Sequence, residues 1–207
     1  MAQGDASMDE AAVLQDMRHW LEQAVIGLNL CPFAKAVHVR GQIHYVVSRA
    51  KDTASLLDQL EHELSDLIAV GPQVRDTTLL MAPWCLESFL DFNDAMQAAQ
   101  RRLKRLGLKG VIQIAGFHPL FQFAGTMESD IGNFTNRAPY PTLHLLREAS
   151  VDRAVAAFPQ AEAIFEHNIE VLERLGRPGW DALGIRRKVL PLPGTGDGKT
   201  RNGEEST

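Results

Sequence analysis

Three short apolar runs, separated by helix-length amphipathic segments, constrain this chain more than any other feature. The runs are IHYVVS (43–48), TTLLMA (77–82) and VIQIAGF (111–117). Their β-branched and aromatic residues, bounded by polar residues, Gly or Pro, read as strands. TTLLMA, closed by Pro83, has the pattern of a strand buried on both faces. Ahead of the first run, Leu14, Met17, Leu21, Val25 and Leu28 recur at helical spacing up to Pro32, with Ser7 and Glu10 as a capping box. A second helix starts at Thr53, carries Leu56, Leu60, Leu64, Leu67 and Ile68, and stops at Gly71-Pro72. A third carries Phe89, Phe92, Met96, Ala99, Leu103 and Leu106 and ends at Gly107. Beyond residue 141, TLHLLRE (142–148) reads as helical. Ser150 caps a short helix to Phe158, and Pro159 opens another that Gly176 ends.

This order predicts an α/β layered single domain over residues 8–183, with a flexible start at 1–7. A small, mainly parallel sheet of three or four strands is flanked by about five helices. At 45% hydrophobic and 23% charged residues, the chain is neither wholly disordered nor a coiled coil. Net charge is −5, unevenly placed. The Gly- and Pro-rich stretch 186–207 has five cations against three acids and reads as a disordered tail, leaving residues 1–185 at −7. That acidity argues against a nucleic-acid partner. No secretory leader and no run of bilayer length occurs, so a soluble, cytoplasmic protein without a membrane partner is expected. Gly198-Lys199-Thr200 ends like a phosphate-binding loop, but Pro193 stands where that loop needs Gly.

The candidate chemistry gathers in 118–141, an unpatterned segment leaving the carboxyl end of the third strand, where α/β sheets commonly hold ligands. His118, Gln122, Asp130, Asn133, Asn136, Arg137 and, just beyond the segment, His144 fall within 27 positions. Arg137 offers a planar fork for a carboxylate or phosphate, and Asn133 and Asn136 suit an amide or oxyanion. His118 follows a strand, where a general acid or base is useful. Gln122 and His144 complete the substrate-binding set. The same residues equally serve as turn caps and loop ties.

Cys31 and Cys85 make no disulfide framework. Cys85 opens the third helix, a better field for a thiolate. Cys31 lies beyond the end of the first helix and needs a cation to become a nucleophile. No motif calls for a cofactor, although His118 and His144 with Asp130 or Cys31 would make an open divalent-metal site. His19, His38, His44, His62 and His167 read as structural or solvated.

Taken together, IGLNLCPFA (26–34), GFHPLFQFAG (116–125), NFTNRAPYPTLHLLREA (133–149) and ERLGRPGW (173–180) resemble the bacterial domain-of-unknown-function family numbered 1415. The resemblance spans roughly residues 9–183 and points to Cys31, His118, Asn136, Arg137 and His144. It implies no activity, and it favours Cys31 over Cys85. The expectation is a small enzyme, a Cys/His-dependent hydrolase or transferase acting on a polar, anionic small molecule. Cys31 and His118 would be catalytic, with Gln122, Asn133, Asn136, Arg137 and His144 binding substrate. A non-catalytic ligand-binding or assembly module is the alternative, and a metal-dependent enzyme the third reading.

Overall fold

The computed structural model describes residues 3–157 and 163–186. Helix α1 (Gln3–Trp20) begins ahead of the Ser7 box and runs into a π-helical turn, Leu21–Ile26. A short α2 (Ala34–Val39) leads to strand β1 (Ile43–Val47). Then come α3 (Thr53–Ala69), β2 (Thr77–Met81), α4 (Phe89–Arg105) and β3 (Ile112–Phe117). A 3-10 segment, Ile131–Asn136, precedes β4 (Thr142–Arg147), α5 (Glu148–Ala156) and α6 (Ile164–Ala182). Local chemistry sets several of these boundaries. Asp52 accepts from the Ser55 N–H (2.8 Å) and Ser88 from the Asp91 N–H (3.4 Å), capping α3 and α4. Gly176 holds a left-handed φ of 64° inside α6, and Pro178 starts the helical piece beyond it. Pro159 and the stretch 187–207 lie outside the described residues.

The sheet has the order β1-β2-β4-β3. β1 and β2 are parallel, while β4 is antiparallel to both β2 and β3. The first three strands therefore share one direction, as helical crossovers require. The fourth wedges between β2 and β3, so the sheet is mixed rather than mainly parallel. That fourth strand is TLHLLR, the segment whose sequence reads as a helix. Three leucines and Arg147 are good helix formers, but the central slot of a sheet overrides intrinsic preference. Leu143 and Leu145 are fully buried on one face. His144 and Leu146 point to the other, as alternation in a strand dictates.

The two faces are covered differently. On the first, Leu56, Leu60, Leu64 and Leu67 of α3 and Phe92, Ala95, Ala99 and Leu103 of α4 pack on Leu80, Ile112, Ile114, Leu143 and Leu145. Gly116 is needed here, since a Cβ would sit 3.0 Å from the Phe92 ring. On the second face, Val13, Met17 and Trp20 of α1 and Leu172 and Trp180 of α6 join Leu79, Met81, Phe134 and Tyr140. This cover is partial. Towards Thr77, Leu146 and Gln113 the second face lies open between α2 and α5.

Candidate functional site

In the loop 118–141 most polar side chains are tied to backbone groups of the loop or of the elements beside it. His118 is fully buried. Its Nε2 contacts the Leu86 carbonyl (2.9 Å), its Nδ1 accepts from the Leu120 N–H (3.0 Å), and its ring lies against Phe89 and Phe92. The carbonyl contact makes Nε2 the protonated nitrogen, so both ring nitrogens are engaged. Asn133, also fully buried, accepts at Oδ1 from the Phe123 N–H and the Thr126 hydroxyl (both 2.9 Å) and donates from Nδ2 to the Met127 carbonyl (2.8 Å). Gln122 donates to the Thr126 carbonyl (2.5 Å), and Asp130 accepts from the Met127 N–H. Arg137 donates to the carbonyls of Phe121 (3.2 Å) and Glu128 (2.8 Å), its guanidinium 4.2 Å from the Phe134 ring centre. Asn136 reaches the Gly116 carbonyl at 3.5 Å, and its own carbonyl accepts from the His118 N–H.

The cavity lies elsewhere, on the open part of the second sheet face, and encloses about 670 Å³. Its floor is Ile43 of β1 with the alternate residues Thr77 and Leu79 of β2, His144 and Leu146 of β4, and Gln113, Ala115 and Phe117 of β3. Trp20, Leu21 and Val25 form one wall, with the segment Cys31–Ala34 beside them and α5 opposite. The π-helical turn carries Leu21 and Val25 to this wall, a use such turns often have. Of the residues singled out from sequence, the structure thus brings Cys31 and His144 into one cavity. His118, Gln122, Asn133, Asn136 and Arg137 are not among its lining residues.

His144 carries the cavity's distinctive chemistry. Its Nε2 lies 2.6 Å from the Thr77 hydroxyl, which donates to the Leu145 carbonyl, also at 2.6 Å. Burial pushes the imidazole down to about 4, so it is neutral at physiological pH. Burial also raises the Cys31 thiol, against the smaller lowering effect of the Phe33 and Ala34 backbone N–H groups. Cys31 and His144 therefore start as a neutral thiol and a neutral imidazole. Cys85 packs against the core of the first face, and burial and the negative charge of Asp52 push its thiol up to about 11.

One end of the cavity is polar. Arg40, Asp76, Arg147, Ser150 and Arg153 meet there, at the amino ends of β1, β2 and β3. The Ser150 hydroxyl donates to Asp76 (2.6 Å) and accepts from Arg153 (2.9 Å). Arg147 is anchored by the carbonyls of Leu67, Val70 and Arg75. Arg40 and Arg153 each engage one guanidinium nitrogen, with Gln42 and Ser150 respectively. The bonds of Arg147 turn it towards the end of α3 on the first face, which leaves two guanidiniums, those of Arg40 and Arg153, beside one carboxylate. Sequence reasoning missed Thr77 and this whole end. Reading TLHLLR as an alternating strand would have placed His144 and Leu146 on one face and led to the groups at its end. Among the described residues no three His, Cys, Asp or Glu side chains gather to hold a metal, and no helix is long and apolar enough to cross a membrane.

Fold and site together define a mixed-sheet α/β domain with a lined cavity on one sheet face. The chain belongs to the family described as protein of unknown function (DUF1415), whose model matches residues 12–182. Neither a curated protein nor a solved structure matches it significantly.

Proposed function

We propose that this protein binds a small amphipathic anion in the sheet-face cavity, its apolar body on the floor and its carboxylate or phosphate head at the guanidinium end. One observation carries the reading: an apolar chamber of ligand size ends in Arg40 and Arg153 against the single acid Asp76. Pockets for small molecules have this character, mostly apolar with a few convergent polar groups. Guanidinium forks suit carboxylate and phosphate oxygens, which transfers the anion-holding role expected of Arg137 to a different set of arginines. The test is calorimetric titration with decanoate and with decanol, which share a chain and differ in head group. Decanoate binds at least about tenfold more tightly, the effect of a charged hydrogen bond. Arg40→Ala and Arg153→Ala together remove that preference. Equal affinity for the two probes, or none for either, overturns the reading.

A second reading, turnover of the bound molecule with Cys31 as nucleophile, is favoured by Cys31 and His144 lining the same cavity. The raised thiol and the depressed imidazole oppose proton transfer between them, so binding takes precedence. A ligand consumed by the native protein and left intact by Cys31→Ser would reverse that order.

A further inference from the structure

Resting on the reading above, we infer that the bound anion carries a hydrogen-bond donor, a hydroxyl or N–H on its apolar body, which the Nδ1 atom of His144 accepts. The argument begins with a proton count. The Thr77 hydroxyl has one proton, and the Leu145 carbonyl 2.6 Å away can only accept it. The contact between Thr77 Oγ1 and His144 Nε2 must then be filled by a proton on Nε2. A neutral imidazole protonated at Nε2 has its lone pair on Nδ1.

That lone pair has no partner of its own. Among the described residues Nδ1 makes no hydrogen bond, yet it is not one of the sealed polar atoms left unpartnered, which are confined to Tyr45, Trp84 and Asn168. It therefore communicates with the cavity that His144 lines. Around it the floor is apolar: Leu79 and Ala115 are its cross-strand neighbours, Leu146 lies two residues along β4, and the Phe117 ring is 5.9 Å away. A purely hydrocarbon ligand would cover this acceptor and leave it unpaired, which is costly. A ligand with a donor at that level satisfies it and excludes its unsubstituted analogue. The ligand class is a hydroxylated or amide-bearing amphipathic anion.

The experiment compares decanoate with its monohydroxy positional isomers in calorimetric titrations of the full chain, and follows His144 by ¹⁵N NMR. One isomer binds about three- to tenfold more tightly than decanoate, the range of a single neutral hydrogen bond. The ratio between the two falls to about one in His144→Phe. The NMR spectrum of the native protein shows protonated Nε2 and bare Nδ1, and the Nδ1 resonance moves when the preferred isomer binds. If decanoate binds and no isomer exceeds it, the inference is wrong and the anion-binding reading stands. An Nδ1–H tautomer in the native protein also overturns the inference alone. If no probe binds, both fall together.

Discussion

The loop 118–141 and the cavity on the second sheet face are both built from polar residues among aromatic ones, yet they use them in opposite ways. In the loop, His118, Asn133 and Arg137 meet backbone carbonyls and N–H groups over short distances, so these side chains are held by the chain itself. In the cavity, polar groups are few and widely spaced, and His144 Nδ1 and the arginine end face open space. Density of polar residues along a sequence thus marks where the backbone needs ties. A site for another molecule is marked by polar groups that the fold leaves unpaired. Long irregular segments must satisfy many backbone groups without helix or sheet partners, and buried side chains are what they recruit.

The comparison is broken most directly at His118. Replacing it with Ala removes a fully buried ring that lies against Phe89 and Phe92 and takes away the partner of the Leu86 carbonyl and of the Leu120 N–H. The expected loss is about 3–5 kcal/mol in urea denaturation, combining the void with the stranded polar groups. A loss under about 1 kcal/mol would mean that the loop does not depend on this tie. If decanoate affinity then fell as well, His118 would return to the ligand site.

His144 supplies the matching test on the cavity side, read through pH. Its folded pKa is about 4 against an ordinary 6.5, so the unfolded chain takes up the proton first as pH falls. The contribution is complete above pH 6.5 and is lost progressively down to about pH 4, amounting to roughly 3 kcal/mol at most. The difference in unfolding free energy between the native protein and His144→Gln isolates this effect from the carboxylates that titrate nearby. A difference that stays flat from pH 7 to 4 would show that the imidazole is not held neutral by the cavity floor.

Most of the architecture was legible because it rests on periodicity. The leucines of α3, the alternating 4,3,4 spacing of Phe92, Met96, Ala99 and Leu103, and the all-buried run TTLLM each have one reading, and each forms the element it suggests. TLHLLR has two. Its leucines fit a helix by propensity and a strand by alternation, and only the slot between β2 and β3 decides between them. That ambiguity hid the site as well. Cys31 and His144 were legible as chemically capable residues, but their shared cavity depends on which face of β4 His144 occupies. Thr77, Arg40 and Arg153 lie far apart in sequence and carry no motif. They become a set only through the sheet register.

The two cysteines extend the contrast from loop against cavity to cavity wall against core. Cys31 lines the chamber, whereas Cys85, ahead of α4, packs against the core on the opposite face of the sheet. Thiolate is the form that iodoacetamide alkylates. At pH 8 a thiol pushed up to about 11 holds roughly a hundredfold less thiolate than one at 9.0. Cys85 should therefore label far more slowly than a free thiol, with Cys31, also raised but bordering open space, in between. Saturating decanoate should slow Cys31 by about tenfold, equivalent to about 1.4 kcal/mol of occupancy, and leave Cys85 unchanged. Peptide mass spectrometry of a time course separates the two sites. If Cys31 and Cys85 slowed together, the ligand would be tightening the whole fold rather than filling the chamber. Protection confined to Cys31 would tie the bound molecule to the wall that Trp20, Val25 and Phe33 share with it.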